Sequence, residues 1–364
     1  MVRYLRKLCA VLVLPIVFLN CDKSRKNTQN GKEPAPSPHT SVQIEVLTKD
    51  LKYPWGMALL PNGDLLFTER EGKLHLLKKG SSSPSLLTTR QVQQNSEGGL
   101  LGLAVDPDFN NNHHIYIYET AESNRVVRFI LENDQLGDEK VITDGIPKAG
   151  NHDGGVILFG PDGYLYIGTG DAQEGNLSQN KNSLAGKILR ITKDGQAAPG
   201  NPFNSAIYAY GLRNVQGLCW TEKGQLYATD HGPSGEKGWC CHDELNLIKA
   251  GANYGWPEVI GDTKRDTLEH PVVHSGKATW APSGCAYTGE NGLWPGEVVV
   301  ACLRGSKLAR FSLNTERNNV TSQSDTLENS YGRIRNIIRG GDGSLIFCTS
   351  NGDDGIYLIS RKSG

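Results

Sequence analysis

The chain of 364 residues carries 38 Lys and Arg against 39 Asp and Glu, so its formal net charge of -1 offers no global field that would recruit nucleic acid. Glycine is abundant at 43 residues, 13 tyrosines accompany it, and stretches with helical periodicity are scarce. This composition favours many short strands joined by tight turns over a helical bundle.

The N-terminus has the features of an export signal. Three basic residues precede an apolar run at 8–19, which is too short to span a bilayer comfortably. The run ends in Phe-Leu-Asn-Cys at 18–21, which resembles a bacterial lipoprotein cleavage box, although Asn20 replaces the usual small residue. We expect a lipoprotein-type signal peptide at 1–20 and a lipid anchor on Cys21, in the periplasm or at the cell surface. The alternative is an ordinary signal peptide that leaves Cys21 as a stray thiol.

A polar segment follows the signal. Residues 21–41 consist largely of Lys, Asn, Pro, Ser and Thr, a composition typical of a flexible tether. The folded domain is therefore expected at 42–361, with the lipid anchor as its membrane contact.

A turn followed by alternating apolar residues recurs along this domain. The copies are PNGDLLFTE from Pro61, GPDGYLYIGTGD from Gly160, TEKGQLYATDHG from Thr221 and GGDGSLIFCTS from Gly340. Each turn places glycine where a positive φ is needed, and each run has the two-residue period of a half-buried strand. Units that cannot bury their own faces imply sheets stacked on neighbouring sheets. The pattern predicts an all-β propeller, with a β-sandwich or two small barrels as the alternatives.

A histidine and a carboxylate flank one pair of these predicted strands. Asn151, His152 and Asp153 lie directly before the strand VILF, and Asp171 ends its partner strand. A carboxylate that holds one ring N–H leaves the other ring nitrogen free to act as a general base. Taken alone, a histidine in a glycine-rich loop is more often a surface or turn residue.

Further along the chain, arginines and a Gly-Pro turn indicate an ionic site. Arg333 and Arg335 alternate on one strand and can converge on a multiply charged anion, unless they form salt bridges on a solvated edge. The Gly232-Pro233 turn can direct carbonyls at a hard cation such as calcium. Six cysteines lie beyond the leader; disulfides are permitted after export, and the adjacent Cys240 and Cys241 indicate a local bridge, whereas the spacings do not fit zinc.

Six strings carry a family resemblance that runs from about Val46 to Ile359. They are YPWGMALLPNGDLLFTER, EGGLLGLAVDPDF, NHDGGVILFGPDGYLYIGTGD, YGLRNVQGL, HGP with DELNLIKAGANYGWP, and GRIRNII. Together they resemble the soluble quinoprotein glucose dehydrogenases and aldose sugar dehydrogenases, the glucose/sorbosone dehydrogenase group. Members are six-bladed β-propellers that use pyrroloquinoline quinone (PQQ) and calcium.

The resemblance implies a role for each matching residue. His152 is the implied general base and Asp171 the carboxylate that orients it, while Glu97 and Asn151 contact the substrate. Cofactor contacts are implied for Arg213, Asn214, Arg304, Arg333 and Arg335, with Arg213 also stabilising developing negative charge. The carbonyls of Gly232 and Pro233 are the implied calcium ligands, and Asp243 with Glu244 is a candidate second calcium site.

Three features depart from the family pattern. Glu97 stands where a glutamine is usual, and Arg304 where a lysine is usual, which keeps the charge but changes its geometry. Residues 236–242, hereafter the insert, lengthen the link between the Gly-Pro turn and the acidic motif. The insert either narrows the mouth of the site or is a harmless loop stapled by a disulfide, and we favour the second interpretation.

The expected function is therefore PQQ- and calcium-dependent oxidation of an aldose sugar or related alcohol to the lactone, with electrons passing to an unidentified acceptor. One alternative is a binding propeller that has lost catalysis, as in the Hedgehog-interacting proteins. Another is a calcium-dependent lactone hydrolase, which would not need paired arginines.

Overall fold

The computed structural model describes residues 41–362, which form six antiparallel sheets of four strands each. The predicted signal peptide, the predicted tether up to residue 40 and Cys21 lie outside the described residues. Among residues 41–362, no helix is both long and apolar enough to cross a membrane.

The first three sheets and the closing strand occupy the N-terminal half of the chain. Their strands are β1 (Val42–Leu51), β2 (Pro54–Leu59), β3 (Leu65–Glu69), β4 (Lys73–Leu77), β5 (Ser85–Thr89), β6 (Leu100–Val105), β7 (His114–Thr120), β8 (Asn124–Glu132), β9 (Gln135–Ile146), β10 (Ile157–Phe159), β11 (Leu165–Gly168), β12 (Lys187–Ile191) and β13 (Ile207–Tyr210). A one-turn helix α1 (Phe109–Asn112) and a 3-10 turn (Gly175–Ser178) lie between them.

The remaining sheets follow in the C-terminal half. Their strands are β14 (Val215–Trp220), β15 (Leu226–Asp230), β16 (Glu244–Ile248), β17 (Val273–His274), β18 (Pro282–Tyr287), β19 (Glu297–Cys302), β20 (Lys307–Leu313), β21 (Val320–Thr326), β22 (Ile334–Arg339), β23 (Leu345–Thr349) and β24 (Asp354–Arg361). A second 3-10 turn (Glu236–Gly238) lies between β15 and β16.

The strand order closes the sheets into a ring. Five sheets are meanders of four consecutive strands: β2–β5, β6–β9, β10–β13, β14–β17 and β18–β21. The sixth sheet has the order β1-β24-β23-β22, so the N-terminal strand completes it. In that sheet Val42 pairs with Arg361, so the two ends of the domain close one blade. This is a six-bladed β-propeller, which confirms the predicted fold class.

The recurring turns take the conformation that the sequence pattern requires. The glycine in each of the four copies has φ between +79° and +88°, namely Gly63, Gly163, Gly224 and Gly343. A side chain is strained in this region, so glycine fixes the hairpin between the first and second strands of these blades.

Glycines also let the first strands of neighbouring blades approach closely around the axis. A Cβ added to Gly102 would lie 2.1 Å from the carbonyl oxygen of Gly155, and one on Gly217 would lie 2.3 Å from that of Ser283. Because these contacts are with backbone atoms, no larger residue fits without moving a blade.

The antiparallel register decides where polar residues gather. Val215 at the start of β14 pairs with Asp230 at the end of β15, and Ile334 at the start of β22 pairs with Thr349 at the end of β23. Residues just before a first strand and just after a second strand therefore lie at the same end of every blade. Apolar side chains fill the space between blades, including the fully buried Tyr116.

Candidate active site

His152 forms a hydrogen-bonded chain with Asp171 and Trp256. Its Nδ1 lies 2.7 Å from Oδ1 of Asp171, and the Trp256 indole N–H donates to Oδ2 of the same carboxylate at 2.7 Å. A carboxylate accepts only, so Nδ1 carries the proton and Nε2 is left to accept one. His152 and Asp171 line a cavity of about 420 Å³. The arrangement therefore fits an oriented general base.

Backbone geometry makes this contact possible. His152 has φ of +65°, an uncommon conformation for a residue other than glycine. A Cβ on Gly170 would lie 1.8 Å from the carbonyl oxygen of His152, so only glycine allows the chain to pass there. The next residue, Asp171, is thereby brought beneath the imidazole.

Glu97 joins the histidine loop to the next blade. Its Oε2 accepts the backbone N–H of His152 at 2.9 Å and the Asn214 amide N–H at 3.1 Å. Burial acts to raise the pKa of the Glu97 carboxyl, but the His231 ring, the His152 N–H and the Arg335 guanidinium outweigh burial and lower that pKa. Glu97 is thus an ionised carboxylate beside the imidazole.

A second, larger cavity of about 740 Å³ holds most of the predicted cofactor-binding residues. Five cations and two carboxylates line it: Arg70, Lys277, Arg304, Arg333 and Arg335 against Glu97 and Asp243. Asn151 lines this second cavity and the next residue, His152, lines the first, so the two cavities are adjacent. The structure thus brings three of the predicted cations, Arg304, Arg333 and Arg335, into a cavity next to the one that His152 lines.

Arg335 is the most enclosed of these cations. Its Nη1 donates to Oε1 of Gln216 at 2.7 Å and to Oγ of Ser283 at 3.2 Å, while its buried Nε has no partner among the described residues. Burial lowers the pKa of Arg335 to about 10, and the neighbouring Arg333 adds to the shift. A polyanion in this cavity would relieve the repulsion between these arginines.

Known proteins are similar in sequence to this chain over most of its length. The model of the family "Glucose / Sorbosone dehydrogenase" matches residues 51–358.

The chain belongs to the glucose/sorbosone dehydrogenase family. This confirms the family predicted from the six sequence strings.

Relatives of full length support the assignment. The aldose sugar dehydrogenase of Escherichia coli is 29% identical, over 89% of this chain and 94% of that protein. An uncharacterised protein of Synechocystis is 31% identical, over 96% of this chain and 97% of that protein. The PQQ-bound structure of the aldose sugar dehydrogenase of Streptomyces coelicolor superposes with a TM-score of 0.80 at 38% identity, covering 89% of this chain and 99% of that one.

Two residues that the family resemblance directs to the cofactor lie outside both cavity linings. The guanidinium of Arg213 is 4% exposed, forms an ion pair with Glu236 of the insert, and donates to the carbonyl oxygen of His231. Asn214 is fully buried, and its amide bridges the Gly154 N–H and Glu97. In this structure Arg213 faces the insert because Glu236 supplies a nearby carboxylate.

The two acidic residues of the candidate second calcium site are not brought together. Asp243 accepts hydrogen bonds from the backbone N–H groups of Gly232, Trp280 and Ala281, so its carboxylate holds the Gly-Pro turn. Glu244 instead contacts Asn246, and burial raises its pKa to about 8, with the charge of Asp230 adding to the rise. Asp243 lies in the loop before β16 and Glu244 is the first residue of that strand, so the two carboxylates have different partners. The 41–362 region contains no cluster of three or more His, Cys, Asp or Glu suited to a metal.

The Gly232-Pro233 turn remains at the cationic cavity. Both residues line it, and a Cβ on Gly232 would lie 1.6 Å from the carbonyl oxygen of Cys241, so only glycine fits there. The insert is therefore packed directly on this turn. It carries a disulfide between Cys240 and Cys241, as the second interpretation expected, and its residues line both cavities, as the first interpretation expected.

The sequence patterns did not single out three residues of the site. Trp256 completes the His152-Asp171 chain, Arg70 adds a cation, and Glu236 pairs with Arg213. Arg70 ends the family string that closes with LLFTER, and Trp256 is next to last in the string that closes with ANYGWP, which is a usable signal. Glu236 lies in the insert, where the family pattern gives no guide.

Proposed function

We propose that the protein is a PQQ- and calcium-dependent dehydrogenase that oxidises an aldose sugar or related alcohol to the lactone. Family membership supports a sugar dehydrogenase, and a PQQ-bound relative is 38% identical. The observation that carries the proposal is the position of an Asp-oriented imidazole beside a cavity lined by arginines.

The residues of the cationic cavity fit PQQ, a flat tricarboxylate. Arg304, Arg333 and Arg335 would hold its carboxylates, since none of them forms a salt bridge within residues 41–362 and Arg335 keeps a buried Nε without a partner. The Gly232 and Pro233 carbonyls suit calcium as hard oxygen ligands. When bound, PQQ would supply a two-electron acceptor for the substrate hydride, and calcium would supply a Lewis acid that polarises the quinone.

The chain itself contributes proton transfer and orientation. His152 Nε2 takes the proton of the substrate hydroxyl, while Asp171 fixes the ring and stabilises the imidazolium that forms. Glu97 positions the His152 backbone, and Asn151 stands at the boundary of the two cavities, where it accepts a hydrogen bond from Ser96 at 2.8 Å. Both are placed to contact a sugar.

The test is reconstitution with PQQ and calcium, followed by reduction of an artificial dye with a panel of aldoses. We expect turnover in the wild type and a loss of about a hundredfold or more in His152→Gln, because the base is removed. His113→Gln is the matched control, since His113 is an exposed histidine that contacts Glu132. Sugar binding without turnover in the wild type would point to a binding propeller, and lactone hydrolysis without PQQ would point to a hydrolase.

Cofactor binding gives a second test. Arg335→Ala removes a charged donor, so we expect PQQ affinity to fall by about tenfold or more while the KM for sugar changes less. Equal losses in both quantities would contradict the assignment of Arg335 to the cofactor.

We further propose that the protein is exported and lipid-anchored at Cys21, on the strength of the N-terminal sequence. Labelling of the wild type with radioactive palmitate, and its loss in Cys21→Ser, is the expected result. Equal labelling of both would contradict it.

A further inference from the structure

The disulfide between the adjacent Cys240 and Cys241 forms part of the wall of the cationic cavity. Both cysteines line that cavity together with the Gly232-Pro233 turn and Arg335. The other four cysteines of the described region are free and buried. The one disulfide among residues 41–362 therefore lies at the proposed cofactor site.

Several contacts hold this disulfide in place. Ser234 pairs with Cys240 as an isolated β-bridge, and Nδ1 of His242 contacts the Cys240 carbonyl oxygen at 2.9 Å. On the other side, the Cys241 carbonyl packs on Gly232, whose N–H is held by Asp243 at 2.9 Å. The insert is thus fixed to the Gly-Pro turn on both sides of the two sulfur atoms.

The rest of the cavity lining offers little to the ring face of an aromatic ligand. No Phe, Tyr or Trp of the described residues lines this cavity, its aromatic ring is the His231 imidazole, its large aliphatic side chain is Leu303, and most other lining residues are charged, polar or glycine. A flat aromatic polyanion needs cations at its edge and an apolar, polarizable surface against its ring face. Sulfur satisfies the second need, because sulfur contacts with aromatic rings are favourable.

We propose that the Cys240–Cys241 disulfide is an apolar surface against which the PQQ ring packs, in the cavity whose arginines supply the charge. The proposal rests on the proposed function, since it concerns the same cofactor. It assigns the insert a role in cofactor affinity, and the sulfur atoms act by contact, with no change in their oxidation state.

The test is equilibrium binding of PQQ to the calcium-loaded protein, followed by quenching of tryptophan fluorescence. We expect Cys240→Ala/Cys241→Ala to bind PQQ about tenfold more weakly than the wild type. Both cysteines are replaced because a single remaining thiol would react with the quinone. Trp239→Ala is the control, since it alters the same insert at a residue outside the cavity lining, and we expect affinity within about twofold of the wild type.

Salt dependence separates lost contact from a displaced loop. If the sulfur atoms act by contact, the arginines stay in place, and the slope of log Kd against log salt concentration is the same in the double variant and the wild type. A changed slope, or an unchanged affinity, would overturn the proposal. Failure of the wild type to bind PQQ at all would instead contradict the proposed function. A melting curve without cofactor shows that the double variant is folded.

Discussion

Asp171→Asn offers a sharp test of how the proposed base is oriented. The two carboxylate oxygens accept three donors: Oδ1 accepts from His152 Nδ1 at 2.7 Å and from the Gln173 N–H at 2.8 Å, and Oδ2 accepts from Trp256 Nε1 at 2.7 Å. An asparagine has one oxygen and one NH2 group, so it cannot accept from both sides.

Each orientation of the asparagine leaves a donor facing a donor. With its oxygen toward His152 the tautomer is correct, but the NH2 group opposes the Trp256 N–H. With its oxygen toward Trp256 the NH2 group faces the Gln173 N–H and donates to His152 Nδ1, and Nε2 then carries the proton and cannot act as a base. Each buried donor left unpaired costs about 1–3 kcal/mol, so both orientations are populated. We expect turnover to fall by about 10²–10⁴, the usual contribution of a general base.

Trp256→Phe should partly rescue that loss. The phenylalanine removes the donor that opposes the correct orientation, and the introduced asparagine of the double variant then accepts from His152 and from the Gln173 N–H. Turnover of Asp171→Asn/Trp256→Phe should exceed that of Asp171→Asn, although Trp256→Phe alone should lower turnover. Dye reduction measures the rates, and nitrogen NMR shifts of His152 report its tautomer. The reasoning is refuted if the fold losses of the two single variants multiply in the double variant and the tautomer of His152 is unchanged.

Three further predictions concern buried charges. Glu236→Gln removes the ion-pair partner of Arg213, so we expect PQQ to bind several-fold more tightly, and equal affinity would show that Arg213 does not reach the cofactor. Glu97→Gln keeps an acceptor for the His152 N–H but removes a negative charge from the cavity, so PQQ affinity should rise at low salt and the gain should shrink as salt is added. Burial lowers the pKa of Lys187 to about 7 from 10.5, so between those values the unfolded chain binds more protons and stability rises with pH. The unfolding free energy of the wild type relative to Lys187→Met should therefore grow by up to ~1.4 kcal/mol per pH unit in urea titrations at about pH 8 and pH 9, and a constant difference would contradict it.

The parts of the site that the sequence predicts are those close to the ends of strands. Arg333 and Arg335 line one cavity, as their spacing predicts, although Arg333 lies just before β22 and the pairing of β22 with β23 shifts between Ile334 and Asn336. Asp171 meets His152 because one residue follows a second strand and the other precedes a first strand, and the antiparallel register puts both at one end of the blade.

The parts that the sequence does not predict depend on loops and on contacts between distant segments. Trp256 reaches Asp171 across 85 positions, through a loop that no local period describes. Arg213 matches its family string, yet its partner is Glu236, whose position follows from how the insert packs on Gly232. Such packing decides the conformation of a loop, and motif matching does not detect it. Motif matching therefore assigns Arg213 to the cavity, whereas in the structure Arg213 pairs with Glu236.

Glu97 shows why a carboxylate is useful between the two cavities. In the proposed mechanism, removing a proton from the substrate turns the imidazole into a cation beside a cavity lined by four arginines, and repulsion between like charges is stronger in a site of low dielectric than in water. Glu97 lies on the His152 side of that cavity, where its charge opposes the field of the arginines at the imidazole. The same charge weakens attraction for a polyanion. In the proposed mechanism Glu97 therefore stabilises the protonated base and weakens cofactor binding, so Glu97→Gln should change these two quantities in opposite directions.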